Sequence, residues 1–292
     1  MWDLFVLGLM AGGVLALVAV GLTLIFGVMD VVNFAHGEFV MLGMFATTVI
    51  VLNTGMSPYL AGLLVVLASV PLAYLVYVGI IRQTLGKSLN VQIFTTLGLS
   101  IVLTSVALMF LGSRTFAFSD AFASQRVYVL GVAVETGRVI AFVGGIVLVA
   151  ALWVFLHRTR LGKSIRAVAE DNYAAKVVGL RISRAYAIVF VLGTVFAVAA
   201  GVLLAPFTAV SSTTGLNYVL VSFVIVVLGG FGSVGGAFLG GLLIGIIETF
   251  VGYYFGTQWM QASVFVIFVL VLALRPQGFF GKKSLDAAMV GG

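Results

Sequence analysis

The sequence predicts an all-α integral membrane protein of about 8–10 transmembrane helices, some of them broken, with an internal repeat. Three observations predict this. Of 292 residues, 62% are hydrophobic and 8% charged, against about 25% charged in a soluble chain. Apolar runs of about 20 residues, each long enough to cross a bilayer core as a helix, recur along the length. Basic residues gather in alternate connections: twelve of the 15 fall in three of them, which is how Lys and Arg held on the cytoplasmic side are distributed.

Each element follows from its own stretch. Leu4 to Phe26 is an apolar run with Asp3 alone before it, so nothing holds its start inside, and no positive n-region marks a cleaved signal. A second crossing spans Asp30 to Leu52 and is interrupted by Asn33, His36, Gly37 and Glu38. Pro58 to Ile81 follows and ends at Arg82 and Lys87, and Asn90 to Leu111 returns with Thr95, Thr96, Ser100 and Thr104 along it. Residues 112–138 read as an outer lid loop, because Phe116, Phe118, Phe122 and Tyr128 give a polar interval an apolar underside. Val139 to Leu156 crosses back. Tyr186 to Ala205, Tyr218 to Leu228, Phe238 to Tyr254 and Trp259 to Leu274 complete the spans. About nine crossings result, in one transmembrane domain over 1–281 with a tail over 282–292, the amino terminus outside and the carboxyl terminus cytoplasmic.

Between the fifth and sixth spans lies a polar island, residues 157–184, that with Arg184 holds nine of the 24 charged residues. Ser164 and Asp171 can accept bonds from free N–H groups at helix starts, and Gly179 can take a left-handed stop. Two short helices result, with Ile165, Val168, Ala175 and Val178 on one face and Arg166, Glu170 and Asp171 turned away. Such a segment is either a solvated basic loop that fixes orientation or a docking element for another protein.

Several chemistries are excluded. Without cysteine there is no disulfide, thiol nucleophile or thiolate metal site, and two histidines are too few for the usual metal cluster. Gly230 to Gly235 matches G-x-G-x-x-G, but its apolar flanks leave no room for a dinucleotide fold. Gly86-Lys87-Ser88 and Gly162-Lys163-Ser164 lack the earlier glycine of a phosphate loop, since Ile81 and His157 stand there; the chain shows no ATP site of its own. No catalytic set and no cofactor is expected. The net charge of +6 reflects membrane orientation rather than nucleic acid.

The candidate solute pathway follows from two interruptions, Asp30 to Glu38 and Gly229 to Ala237. Broken helices at corresponding positions of two related halves place half-helix ends near the midplane. Polar side chains at membrane depth are costly, which makes Asn33, His36, Glu38 and Glu248 candidates. Thr95, Thr96 and Ser100 join them from the fourth span, and Gly232 and Ser233 from the second interruption. For each, the alternative is a hydrogen bond that only ties helices together. Gly236, Gly240, Gly241 and Gly245 permit close helix approach, within the chain or at a subunit interface.

Three stretches, GLTLIFGVMDVVNFAHGEFVMLGMF (Gly21 to Phe45), IRAVAEDNYAAKVVGLRISR (Ile165 to Arg184) and VLGGFGSVGGAFLGGLLIGIIE (Val227 to Glu248), together resemble the membrane-spanning permease subunit of branched-chain amino acid ABC importers. The resemblance implies the ABC importer permease fold, and it implies that the island corresponds to coupling helices seated in a groove of an ATPase. Arg166, Glu170, Asp171, Ala174, Ala175 and Gly179 are then the coupling residues. It implies as partners a second related permease subunit, two ATP-binding-cassette ATPases, an extracytoplasmic solute-binding protein and membrane lipid, in a bacterial inner membrane. ATP is then hydrolysed by the partners, and the solute is a branched-chain or other apolar amino acid. Urea, short amides or other small polar solutes are the alternative within the family, and an ion-coupled secondary transporter the alternative outside it.

Overall fold

The computed structural model describes residues 1–112, 114–118, 120–275 and 278–279; the tail over 282–292 lies outside the described residues. Eight helices are long and apolar enough to cross a membrane, and Thr214–Gly229 is a shorter apolar one. In chain order these are α1 (Trp2–Met29), α2 (His36–Thr54), α3 (Pro58–Val76), α5 (Leu89–Leu111), α6 (Thr136–Arg158), α9 (Ile182–Leu204), α10 (Thr214–Gly229), α11 (Val234–Tyr254) and α12 (Met260–Leu274). A π-helical turn, Tyr77–Ile81, and the stub α4 (Arg82–Thr84) extend α3, and Thr257–Trp259 forms a 3-10 turn before α12. The polar island folds as α7 (Arg160–Glu170) and α8 (Asn172–Val177).

The α7–α8 pair marks one end of the bundle, the basic end. The other end carries an antiparallel hairpin, β1 (Arg126–Val129) with β2 (Val132–Glu135), inside the stretch expected to be a lid. Trp2 donates its indole N–H to the Leu130 carbonyl at 3.0 Å, which ties the start of α1 to that hairpin.

The core is an inverted repeat. Helix α1 crosses α9 where Gly21 meets Gly193: a Cβ on either would stand 2.7 Å from the other's carbonyl oxygen, so only glycine permits this approach. Around that crossing α2 packs on α9 and α10 on α1, while α3 lies along α9 and α11 along α1. The units α1–α2–α3 and α9–α10–α11 thus correspond with opposite directions. Gly241 and Gly245 seat against Ala16 and Gly12 of α1, whereas Gly236 and Gly240 face α10. These glycines are packed inside the chain.

The repeat corrects the expected pairing of interruptions. Residues 30–35 between α1 and α2 correspond to residues 205–213 between α9 and α10; both are re-entrant. The Gly230–Ser233 break instead joins α10 to α11 and corresponds to the turn between α2 and α3. Glycine richness drew attention to the wrong break, because a re-entrant chain needs partners for its backbone more than it needs glycine.

Candidate functional site

The depth of the first break follows from one hydrogen bond. His36 Nε2 lies 3.0 Å from the Val18 carbonyl, and Val18 is eleven residues before the end of α1, about 16 Å along a helix. The chain therefore leaves α1 at the basic end through a left-handed Asp30, runs back over residues 31–33, turns at residues 34–35 and starts α2 near mid-depth. A buried backbone without ladder partners needs other groups. Thr96 of α5 donates its hydroxyl to the Val32 carbonyl at 2.9 Å, the Ala35 N–H donates to Asn33 Oδ1 at 3.1 Å, and the His36 N–H donates to the Asn33 carbonyl.

The second re-entrant segment descends from the hairpin end. Its Val210 pairs through both backbone bonds with Phe116, so part of the lid closes over it. It ends at α10, whose first turn meets the first turn of α2: a Cβ on Gly37 would strike the Gly215 carbonyl and stand 2.7 Å from the Val219 nitrogen. Two helix N-termini with their partial positive charge thus face each other near mid-depth. The Glu38 carboxylate lies at that junction, against the Cα of Gly215. It accepts a bond from the Ser100 hydroxyl at 3.0 Å. A carboxylate between two helix starts balances their charge, which explains a buried acid with no basic partner among the described residues.

Asn33, His36, Glu38, Thr96 and Ser100 of the expected pathway residues are therefore brought together. Asn33 Nδ2, His36 Nδ1 and Glu38 Oε2 are buried without a protein partner among the described residues; each such group costs about 1–3 kcal/mol unless a polar molecule meets it. Thr95 stands apart, turning its hydroxyl back to the Val91 carbonyl of its own helix. Glu248 lies in a separate 320 Å³ cavity toward the hairpin end, with Arg138, Asn217 and Tyr218. Ser233 caps α11 through the Gly236 N–H, and Gly232 sits against Gly27 at the basic end; neither joins the mid-depth cluster. Gly37 and Gly215 complete the junction; the signal for Gly37 was its place between His36 and Glu38, and Gly215 carried none.

The α7–α8 pair is fastened at its root. Thr159, rather than Ser164, caps α7, accepting from the Gly162 N–H at 2.9 Å; Ser164 lies inside the helix and bonds back to the Arg160 carbonyl. Gly162 lies on the backbone of Phe155 and Leu156, Ile165 and Val168 are buried, and Arg166 donates Nε–H to the Leu156 carbonyl at 3.0 Å. Asp171 caps α8, accepting from Tyr173 and Ala174 N–H groups, and Gly179 adopts φ +83°. Ala175 is buried, but Val178 is 75% exposed, against the expectation that it shares the inner face: α8 ends at Val177, so Val178 no longer follows helical spacing. Glu170, Asp171, Ala174 and Gly179 are exposed.

An inverted pair of helical units with re-entrant breaks meeting near mid-depth defines a multi-pass membrane transporter core. The family described as branched-chain amino acid transport system / permease component matches residues 4–274, and the chain belongs to it. The chain is 30% identical over 301 residues to the high-affinity branched-chain amino acid transport system permease protein LivH of Escherichia coli (strain K12), covering 96% of this chain and 95% of that protein. It is 29% identical over 292 residues to the corresponding permease protein BraD of Pseudomonas aeruginosa, with the same coverage. In fold it is similar to the solved structure titled PsaBC from Streptococcus pneumoniae in complex with Fab, at TM-score 0.50 and 17% identity, covering 93% of this chain and 91% of that one.

Proposed function

We propose that this chain is the permease subunit of an ATP-binding-cassette importer that carries branched-chain or other apolar amino acids across a bacterial inner membrane. Two separate ATPases hydrolyse ATP, a second related permease completes the pathway, and an extracytoplasmic binding protein delivers solute. The basic end faces the cytosol and the amino terminus lies outside, in keeping with the distribution of Lys and Arg. Similarity to permeases named for branched-chain amino acids supports the solute class.

The observation that carries the coupling is the α7–α8 pair, anchored to α6 through Gly162 and Arg166 yet exposed at its tip. In this reading Glu170, Asp171, Ala174 and Gly179 meet the ATPase, while Arg166 and Ala175 hold the pair to the bundle. A push on the tip reaches α1 and α9, which α7 also touches. Both re-entrant breaks hang from those helices, so motion there shifts the two helix starts relative to each other as a rigid-body change. Asn33, His36 and Glu38, with Thr96 and Ser100 supporting them, form the polar step of the pathway. Thr95, Gly232, Ser233 and Glu248 belong to its approaches.

The unpartnered atoms of Asn33, His36 and Glu38 also favour a second reading, in which a small polar solute such as urea or a short amide is carried. Co-purification followed by vesicle transport tests both. The expected result is that ATPase subunits co-purify and that leucine uptake requires ATP. Uptake by the isolated chain without ATP would overturn the importer, and urea uptake that leucine does not compete would select the second reading. Labelling of Lys163 and Lys176 from the outer side alone would invert the orientation.

A further inference from the structure

A 950 Å³ groove runs between α3 and α9 toward the basic end, away from the mid-depth junction. Its origin lies in α3. Pro71 removes one hydrogen bond from the helix, and the π turn at Tyr77–Ile81 widens it where the groove lies. Tyr77 makes the floor: it is 2% exposed, its hydroxyl donates to the Ser183 carbonyl at 3.1 Å, and its ring packs on Phe190 at 6.0 Å. Arg82, Arg181 and Arg184 line one end of the groove, Val78, Ile188 and Leu192 line its length, and no acidic residue lies among the lining.

We infer that this groove holds an anionic phospholipid, its phosphate among the three arginines and an acyl chain along the apolar wall. Three guanidinium groups with no lining carboxylate call for an anion, and a long apolar wall calls for hydrocarbon. The length agrees: Val70 and Arg82 both line the groove, and twelve helical residues separate them by about 18 Å, close to the thickness of one leaflet's hydrocarbon. Free phosphate would satisfy the arginines and leave the apolar wall unmet; a zwitterionic lipid would fill the wall and bring its own cation to the arginines.

The test is native mass spectrometry of the full chain, purified with its co-purifying subunits, from micelles holding equal phosphatidylglycerol and phosphatidylcholine of identical acyl chains. The expected result is retention of phosphatidylglycerol over phosphatidylcholine by about tenfold or more. That preference falls to near unity in Arg82→Gln/Arg181→Gln/Arg184→Gln and persists in Arg158→Gln, outside the groove. Ala187→Trp, which fills the wall and keeps the arginines, also lowers retention. Equal retention of the two lipids by the unaltered chain, or an undiminished preference in the triple variant, would overturn the inference. So would unchanged retention in Ala187→Trp, or displacement of the lipid by glycerol phosphate at equal concentration, which would mark a site for an anion alone.

Discussion

Gly37→Ala adds one methyl group at the junction of α2 and α10, where the obstacles are backbone atoms and a Cβ, none of which a rotamer change can move aside. The new Cβ would meet the Gly215 carbonyl, the Val219 nitrogen at 2.7 Å and the Val219 Cβ at 2.9 Å. Relief requires the two helix starts to separate, and overpacking of this kind costs about 1–3 kcal/mol. At about 2 kcal/mol the correctly seated junction is disfavoured roughly thirtyfold. The expected outcome is initial uptake of radiolabelled leucine well below a tenth of normal in cells with matched membrane abundance. Gly235→Ala is the control, since nothing lies within 4 Å of the Cβ it adds; it should leave uptake unchanged. Normal uptake with Gly37→Ala at equal abundance would show that the two starts need not touch, and the argument for a mid-depth junction would fail.

Other consequences are open to direct measurement. Thr96→Val removes the hydroxyl that serves the Val32 carbonyl, and leaving that group bare should cost about 1–3 kcal/mol, seen as a lower thermal unfolding midpoint in detergent, while Thr95→Val should change it little. Glu38→Gln keeps the shape of the side chain but removes the charge between the helix starts, so uptake should fall with insertion intact; unchanged kinetics would reduce Glu38 to a packing group. Asp171→Ala removes the cap of α8, at about 1 kcal/mol, and Glu170→Arg alters the exposed tip. Both should raise the ATP hydrolysed per solute carried in reconstituted vesicles.

The spans and the island were legible because each rests on a local pattern. Apolar length marks a crossing, and Asp171 and Gly179 are residues whose chemistry suits the ends of a short helix. The first break was legible too, since Asn33, His36 and Glu38 are conspicuous in an apolar run. Its partner was hidden: residues 205–213 look like an ordinary Ser/Thr-rich loop, and only tertiary contacts, Gly37 on Gly215 and Phe116 on Val210, show it descending into the bundle. Glu248 failed to join the cluster for the same reason, as depth along α11 does not tell which side of α1 it faces. The β hairpin escaped notice because its four-residue strands lie within a stretch judged by its aromatic residues alone.

The crossing of Gly21 and Gly193 brings two backbones together, with Ile25, His36 and Phe196 close around it. Such a contact has little that can yield, so any larger residue at either position would force α1 and α9 apart. Because α2 packs on α9 and α10 on α1, that separation would displace both re-entrant helix starts together.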